Sequence, residues 1–164
     1  MGRMIVVNID KCTGCGTCEL FCSFKHHDEF NPIKSRIHKN MFLEQALSIP
    51  VVCYQCEEPW CGKVCPAGAI TTEKDKMMNA TLVKVNENKC VGCKMCMLAC
   101  PFGCIVVSEK GHAEKCDLCG GDPECVKFCA RGALKFEEAE LGMITRKKGV
   151  AERLLDSYKE VKSK

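Results

Sequence analysis

The stretch Cys12-Thr13-Gly14-Cys15-Gly16-Thr17-Cys18-Glu19-Leu20-Phe21-Cys22 holds four cysteines in the spacing Cys-x2-Cys-x2-Cys-x3-Cys, and is here named group one. Three further groups of four follow: Cys53, Cys56, Cys61 and Cys65 in group two, Cys90, Cys93, Cys96 and Cys100 in group three, and Cys116, Cys119, Cys125 and Cys129 in group four. Group three repeats the spacing of group one, whereas groups two and four are looser. Sixteen of the 17 cysteines in the 164-residue chain therefore belong to one regular pattern.

The spacing within the groups predicts bound metal. Groups one and three have the ligand spacing that holds [4Fe–4S] clusters in bacterial ferredoxins. At four thiolates per cluster, the four groups predict four [4Fe–4S] clusters, or about 16 iron atoms. Structural zinc, which takes its ligands from two Cys-x2-Cys pairs, is the competing metal. Zinc suits groups one and three poorly but stays open for groups two and four. A zinc-stabilised interaction module with no redox role is therefore the alternative of a different class.

Two internal sequence repeats indicate how the groups are arranged. Residues 86–93 resemble residues 8–15, and residues 125–134 resemble residues 61–70. The groups therefore follow the order A-B-A′-B′. Short alternating strands lead into the cysteine loops, and each fourth cysteine should lie on a short helical turn. We expect an α+β fold: a tandem bacterial-ferredoxin-like arrangement of short β-hairpins and short helices around cluster-binding loops, with a pseudo-twofold repeat.

Two stretches lie outside the groups. Residues 23–52 form a long connection rich in histidine and basic residues, which favours a functional or docking segment. We expect residues 1–140 to form one polyferredoxin domain, and residues 141–164 to form a basic tail with an amphipathic helix. That helix would pack on its own protein or dock on a partner subunit.

Charge and composition exclude several classes of function. The formal charge of +3 counts cysteine as neutral, and four clusters at about −2 each would bring it to roughly −5. Nucleic-acid binding does not follow from such a balance. We find no export signal, no apolar run of membrane-spanning length and no catalytic constellation. Unpaired thiols used for metals are typical of a reducing compartment, so we expect a cytoplasmic protein without a direct membrane span.

The order of the groups resembles a known family. With four residues between Cys56 and Cys61 and five between Cys119 and Cys125, the chain resembles the four-cluster ferredoxin-like subunits of anaerobic oxidoreductases over residues 4–137. That family includes the iron–sulfur subunits of dimethyl sulfoxide reductase, formate dehydrogenase and hydrogenase complexes, and the ferredoxin-like partner of carbon monoxide dehydrogenase. The resemblance implies an outer pair of clusters from groups one and four, and an inner pair from groups two and three.

The resemblance also implies which cysteines share a cluster, because the fourth cysteine of each group serves the partner group. Cluster one would take Cys12, Cys15, Cys18 and Cys129, and cluster four would take Cys116, Cys119, Cys125 and Cys22. Cluster two would take Cys53, Cys56, Cys61 and Cys100, and cluster three would take Cys90, Cys93, Cys96 and Cys65.

These features imply an electron-transfer subunit that is not an enzyme alone. It would connect a large catalytic oxidoreductase subunit to other redox subunits or carriers. Residues 26–37, with Phe30-Asn31-Pro32 and Ser35-Arg36-Ile37, look similar to small ferredoxin subunits of tungsten or molybdenum aldehyde oxidoreductases, a class that extends to tungsten-dependent benzoyl-CoA reductases. A tungsten or molybdenum pterin subunit is thus the favoured partner. The alternatives are a carbon monoxide dehydrogenase, hydrogenase or formate dehydrogenase partner, and a free-standing polyferredoxin.

The seventeenth cysteine and an apolar stretch raise separate expectations. Cys104 should be a small buried side chain beside a cluster, with a labile extra ligand or a redox sensor as the alternative. Met95, Met97 and Leu98 should shield cluster three from water.

Overall fold

Short strands and helices alternate along the chain in the computed structural model, which describes residues 2–76 and 79–138. The strands are β1 (Arg3–Val7), β2 (His38–Phe42), β3 (Leu47–Val51), β4 (Ile70–Asp75), β5 (Ala80–Val85), β6 (Ile105–Val107), β7 (Ala113–Lys115) and β8 (Leu134–Glu138). The helices are α1 (Thr17–His27), α2 (Trp60–Lys63), α3 (Met95–Ala99) and α4 (Glu124–Lys127), with 3-10 turns at Ile9–Lys11, Pro32–Lys34, Glu87–Lys89 and Leu118–Gly121. The predicted tail and its amphipathic helix, residues 141–164, lie outside the described residues.

The strands form four antiparallel pairs. They pair β1 with β8, β2 with β3, β4 with β5 and β6 with β7. The β1–β8 pair joins the two ends of the described chain, in a register that runs from Arg3 opposite Glu138 to Val7 opposite Leu134. This arrangement confirms the predicted α+β fold of short strand pairs and short helices. Within the residues that the structure describes, no helix has the length and apolarity needed to cross a bilayer.

Asparagine side chains turn the chain from strand to cysteine loop in two places. Asn8 follows β1 and accepts a hydrogen bond from the backbone N–H of Asp10 at 3.1 Å. Asn86 follows β5 and accepts one from the N–H of Asn88 at 3.0 Å. Such local bonds stabilise a turn because the side chain replaces a backbone acceptor. These turns lead directly into the first cysteines of group one and group three.

The buried apolar residues form two clusters, and cysteines belong to both. The first contains Ile5, Cys22, Ile37, Val52, Ala80, Leu82, Leu118, Cys125 and Leu134. The second contains Cys61, Ile70, Val83, Cys96, Ile105 and Ala113. Helix α1 packs on α4 beside the first cluster, and α2 packs on α3 beside the second. The core is therefore divided between groups one and four on one side and groups two and three on the other.

The long connection at residues 23–52 is more ordered than the sequence suggested. Helix α1 continues to His27, and the β2–β3 hairpin occupies most of the rest. The hairpin packs on group one: the backbone N–H of Lys39 donates to Glu19 Oε1 at 2.9 Å, and Glu19 is only 7% exposed. A Cβ atom at Gly16 would lie 2.9 Å from Lys39 Cε, and the φ angle of +76° also favours glycine there. The segment thus docks on its own chain.

Candidate metal centres

One cavity combines cysteines from groups one and four. Its lining includes Cys22, Cys116, Cys119 and Cys125, with apolar walls that include Ile5, Ile37 and Val52. Burial strongly raises the pKa of the Cys125 thiol, and the nearby Cys116, Cys22 and Cys119 raise it further. These are three cysteines of group four and the fourth cysteine of group one.

A second cavity combines cysteines from groups two and three. Its lining includes Cys65, Cys90, Cys93 and Cys96, surrounded mainly by apolar side chains and by the backbone of Gly92 and Gly111. Burial raises the pKa of the Cys96 thiol, and the nearby Cys90 and Cys65 add to that effect. Gly92 has a φ angle of +69°, and a Cβ atom there would lie 2.9 Å from the carbonyl oxygen of Gly111. Glycine is therefore required for the loop to close on this cavity.

The fourth cysteine of group three lies among the cysteines of group two. Burial raises the pKa of the Cys61 thiol; Lys115 lowers it, whereas Cys53 and Cys100 raise it. The pKa of Cys56 is likewise raised, first by burial and then by Cys53, with Cys100 also contributing. Cys100 is thus close enough to both thiols to interact electrostatically with them.

The remaining group-one thiols form the most exposed set. Cys15 is exposed, and the Thr17 hydroxyl, which donates to its sulfur at 3.4 Å, lowers its pKa. Burial raises the pKa of Cys18 to about 12, with smaller contributions from Glu19, Cys15 and Cys12. Cys18 and Cys129 both pack against the first core cluster. Nearby, the rings of Phe21 and Phe128 stack with centroids 3.5 Å apart and join α1 to α4.

Each fourth cysteine accepts a hydrogen bond from a backbone N–H. The donors to Cys65, Cys100 and Cys129 are Ala69, Cys104 and Ala133, four residues further on, at 3.3, 3.4 and 3.2 Å. Cys22 differs because helix α1 continues past it. Its donor is the N–H of Arg36, 14 residues away, at 3.3 Å. The segment that the sequence treated as a connection therefore completes the surroundings of Cys22.

A partly buried polar cluster borders the cavity of groups one and four. Arg36 Nη1 lies 3.0 Å from Asp117 Oδ2, and Arg36 Nε lies 3.5 Å from Glu114 Oε2. His26 Nε2 lies 3.4 Å from Asp117 Oδ1 and 3.8 Å from Cys119 Sγ. Burial, reinforced by Arg36, lowers the pKa of His26. Sequence reasoning noticed the basic residues but missed their acidic partners, because these lie about 80 to 90 residues further along the chain.

Cys104 is buried, as expected, with 5% of its surface exposed. Its Sγ donates to the carbonyl oxygen of Phe102 at 3.4 Å. Burial raises its pKa to about 12, and the nearby Cys53, Cys100 and Cys56 add to the effect.

The predicted apolar shield of cluster three is wrong in part. Met97 lines the cavity with Cys96, but Leu98 is 76% exposed because it lies on the outer side of α3.

The donor atoms of both cavities fit a soft metal centre. Four sulfur atoms line each cavity, and S4 ligand sets are typical of iron–sulfur clusters and of zinc. The cavity of groups two and three has little other donor chemistry, since most of its remaining walls are apolar. The residues present therefore fit the predicted cofactor, and comparison with known proteins distinguishes the two metals.

Two families match the sequence, and both bind iron–sulfur clusters. The 4Fe-4S dicluster domain matches residues 45–139, and the 4Fe-4S binding domain matches residues 9–25. The polyferredoxin-like subunit of aliphatic sulfonate oxidoreductase from Pyrococcus furiosus is 39% identical over 127 residues, which cover 76% of this chain and 70% of that protein. The B subunit of anaerobic dimethyl sulfoxide reductase from Escherichia coli is 37% identical over 154 residues, covering 79% of this chain and 70% of that subunit.

A chain of the solved BamBC active-site complex of benzoyl coenzyme A reductase with benzoyl-CoA is also similar. It is 22% identical, with a TM-score of 0.47, over 92% of this chain and 91% of that one. The family matches confirm [4Fe–4S] clusters as the cofactors, and relatives named as electron transport proteins support electron transport as the class of function. The chain belongs to the 4Fe-4S dicluster domain family of ferredoxin-like iron–sulfur subunits.

Proposed function

We propose that this chain holds four [4Fe–4S] clusters and carries electrons between a large catalytic oxidoreductase subunit and other redox partners. The observation that carries the proposal is the mixed composition of the two cavities. Each combines three cysteines of one group with the fourth cysteine of another. A chain built from four independent metal-binding loops would not have this arrangement.

The ligand sets that we propose follow this exchange. They are Cys12, Cys15, Cys18 and Cys129 for cluster one; Cys53, Cys56, Cys61 and Cys100 for cluster two; Cys90, Cys93, Cys96 and Cys65 for cluster three; and Cys116, Cys119, Cys125 and Cys22 for cluster four. The cavities support the sets for clusters three and four. The position of Cys100 beside Cys56 and Cys61 supports the set for cluster two.

We further propose that a pseudo-twofold repeat relates the outer and inner pairs. Strand β1 precedes group one and pairs with β8, which follows group four; β5 precedes group three and pairs with β4, which follows group two. The N–H of Asn8 donates to the carbonyl oxygen of Ala133, and that of Asn86 to the carbonyl oxygen of Ala69, both at 2.7 Å. These matching contacts support the repeat. They also support one polyferredoxin domain over residues 1–140.

The residues of the chain set the conditions for electron transfer. When bound, a [4Fe–4S] cluster supplies one-electron redox chemistry. The thiolates hold it, the N–H groups that donate to Cys22, Cys65, Cys100 and Cys129 stabilise charge on sulfur, and the apolar walls exclude water. No side chain of the proposed sites is needed as an acid, base or nucleophile. We therefore propose that the chain is not catalytic without its partner.

The accessible ends of the electron-transfer path are proposed to be the loops of groups one and three. Cys15 and Cys93 are the exposed cysteines of the described chain. Cys53 contributes to the raised pKa of Cys116, which indicates that groups two and four are neighbours. The proposed path therefore runs from cluster three through clusters two and four to cluster one, and a partner could approach either end.

The catalytic partner that we propose is a tungsten or molybdenum pterin subunit of the aldehyde oxidoreductase or benzoyl-CoA reductase type. The stretch from His26 to Ile37 supports it, and two relatives are named as subunits of oxidoreductases. A partner of the carbon monoxide dehydrogenase, hydrogenase or formate dehydrogenase type is the second candidate, favoured by the wider family resemblance. We propose a cytoplasmic location, because the groups require reduced thiols.

Metal analysis of the complex, purified without oxygen from its host, tests the proposal. We expect about 16 irons per chain, together with tungsten or molybdenum in a co-purifying large subunit. Nickel instead would assign the partner to a hydrogenase or a carbon monoxide dehydrogenase. An iron content near eight would refute the count of four clusters, and a chain that purifies without any large subunit would refute the partner role.

A further inference from the structure

A lysine is buried at the junction between the inner and outer cysteine groups. Lys115, the last residue of β7, is 4% exposed. Its Nζ donates to Gln55 Oε1 at 3.1 Å, to the carbonyl oxygen of Cys116 at 2.9 Å and to the carbonyl oxygen of Val83. Lysine is rarely buried to this extent unless it is paired. Its position therefore calls for a specific role.

The hydrogen bonds of Lys115 are those of a charged ammonium group. An ammonium has three N–H donors and no acceptor, and three oxygen atoms receive them here. Within residues 2–76 and 79–138, Lys115 forms no ion pair with a carboxylate. The positive charge is thus solvated by fixed dipoles and is not neutralised by a neighbouring side chain.

Gln55 holds this charge in place and joins the two cysteine groups. Its Oε1 accepts from Lys115 and from the N–H of Val83 at 2.9 Å, while its Nε2 donates to the carbonyl oxygen of Cys116 at 2.6 Å. Gln55 is buried and has a φ angle of +50°, which is unfavourable for a residue with a side chain. Strain of this kind persists only where surrounding contacts fix the backbone.

The charge lies beside residues of both pairs. Lys115 Nζ lies 2.9 Å from the carbonyl oxygen of Cys116 in group four and 3.1 Å from the side-chain oxygen of Gln55 in the loop of group two. In sequence, Gln55 adjoins Cys56 and Lys115 adjoins Cys116. A charge buried in a low-dielectric interior interacts more strongly than one exposed to water. The groups of clusters two and four are therefore within the field of the same ammonium.

We propose that Lys115 is a positioning residue for electron transfer, whose fixed positive charge raises the reduction potentials of clusters two and four and so favours the reduced state at the junction of the inner and outer pairs. This inference rests on the proposed function. Reduction adds one electron to a cluster and makes it more negative, so a nearby cation stabilises the reduced state.

The test is a redox titration of the whole protein, followed by electron paramagnetic resonance, with four variants. Lys115→Met removes the charge at similar length, and Lys115→Arg keeps it. Lys84→Met makes the same substitution at a lysine of β5 whose side chain is 47% exposed, and serves as the matched control. Gln55→Glu keeps Lys115 but places a carboxylate beside its ammonium, which should cancel the field by a different route.

We expect Lys115→Met and Gln55→Glu to lower at least two of the four midpoint potentials. The expected shift is a tenfold change in the one-electron equilibrium constant, or about 59 mV. Lys115→Arg and Lys84→Met should leave the potentials near those of the unmodified protein. If either Lys115→Met or Gln55→Glu retains full iron content with unchanged potentials, the inference is overturned.

A variant that fails to assemble its clusters also tests the proposal. If Lys115→Met and Gln55→Glu both fail to take up iron while Lys115→Arg does, Lys115 serves folding and its proposed role is rejected. If only one of these two variants assembles its clusters, the midpoint potentials of that variant decide whether the proposed role holds. The iron content of the unmodified protein is measured in the same series. A low value there would refute the four-cluster proposal itself, whereas a full value with unmoved variant potentials would refute only the role of Lys115.

Discussion

Replacing Cys100 should damage the cluster of group two, although Cys100 belongs to group three. Cys100 is close enough to Cys56 and Cys61 to raise the pKa of both thiols further, after burial and Cys53, and the N–H of Cys104 donates to its sulfur. We therefore expect Cys100→Ala to remove one cluster, so that the iron content falls from about 16 to about 12 atoms per chain. The single variant does not reveal which cluster was lost, but pairs of variants do.

Two double variants separate the alternatives by counting iron. If Cys61 and Cys100 share a cluster, Cys61→Ala with Cys100→Ala should lose no more than either change alone and retain about 12 irons. Cys96→Ala with Cys100→Ala should remove two clusters and retain about 8. The assay is iron analysis with spin quantification of the dithionite-reduced protein.

The opposite pattern would refute the exchange of ligands. In that case the double variant of Cys96 and Cys100 would lose only one cluster, and the double variant of Cys61 and Cys100 would lose two. Cys104→Ala is the control, because Cys104 is as buried as the ligands and has no place in any proposed set. It should retain all the iron. Loss of a whole cluster in that variant would show that Cys104 is itself a ligand.

Three further changes test the structure more widely. Arg36→Met should remove the guanidinium shared by the buried Glu114 and the half-exposed Asp117, leaving His27 and His26 as their nearest basic side chains, and cost about 1.5–3 kcal/mol of stability, measured by denaturant-induced bleaching; a loss below about 1 kcal/mol, typical of exposed pairs, would contradict the burial of Glu114. Lys94→Gly should stabilise the protein by roughly 1 kcal/mol in the same assay, because Lys94 has a φ angle of +63° where group one has a glycine; no gain would show that the loop is unstrained. Complete iron removal should abolish most of the native circular dichroism, since the clusters supplement a small core; a near-native spectrum would refute this dependence.

The sequence was sufficient for features that depend on local spacing. The cysteine groups and the short strands around them depend on residues close in sequence, so the pattern predicted them. Prediction was poorer for the length of the helices in groups one and three. Pro101 comes directly after Cys100, and α3 ends at Ala99. Ser23 occupies that position after Cys22, and α1 continues for five more residues.

Features fixed by distant partners could not be read from the pattern. The β2–β3 hairpin docks through Glu19, a residue that looks like an ordinary exposed acid of a helix's first turn. Lys115 likewise looks like a surface lysine in a basic chain, because its acceptors are a glutamine and two backbone carbonyls, of which only that of Cys116 is close in sequence. Neither hydrophobic periodicity nor cysteine spacing carries a signal for such contacts.

The pairing of β1 with β8 has a consequence for how the protein is made. These strands are the first and last of the described chain, and Arg3 lies opposite Glu138. A ribosome that adds about 5–20 residues per second would release β1 roughly 7–27 seconds before β8. During that interval the nascent first strand lacks the strand with which it forms its ladder, whereas β4 and β5 can pair as soon as both have emerged. Biosynthesis thus favours completion of the middle of the molecule first, and the amino-terminal thiols must be kept reduced until the carboxyl-terminal strand arrives.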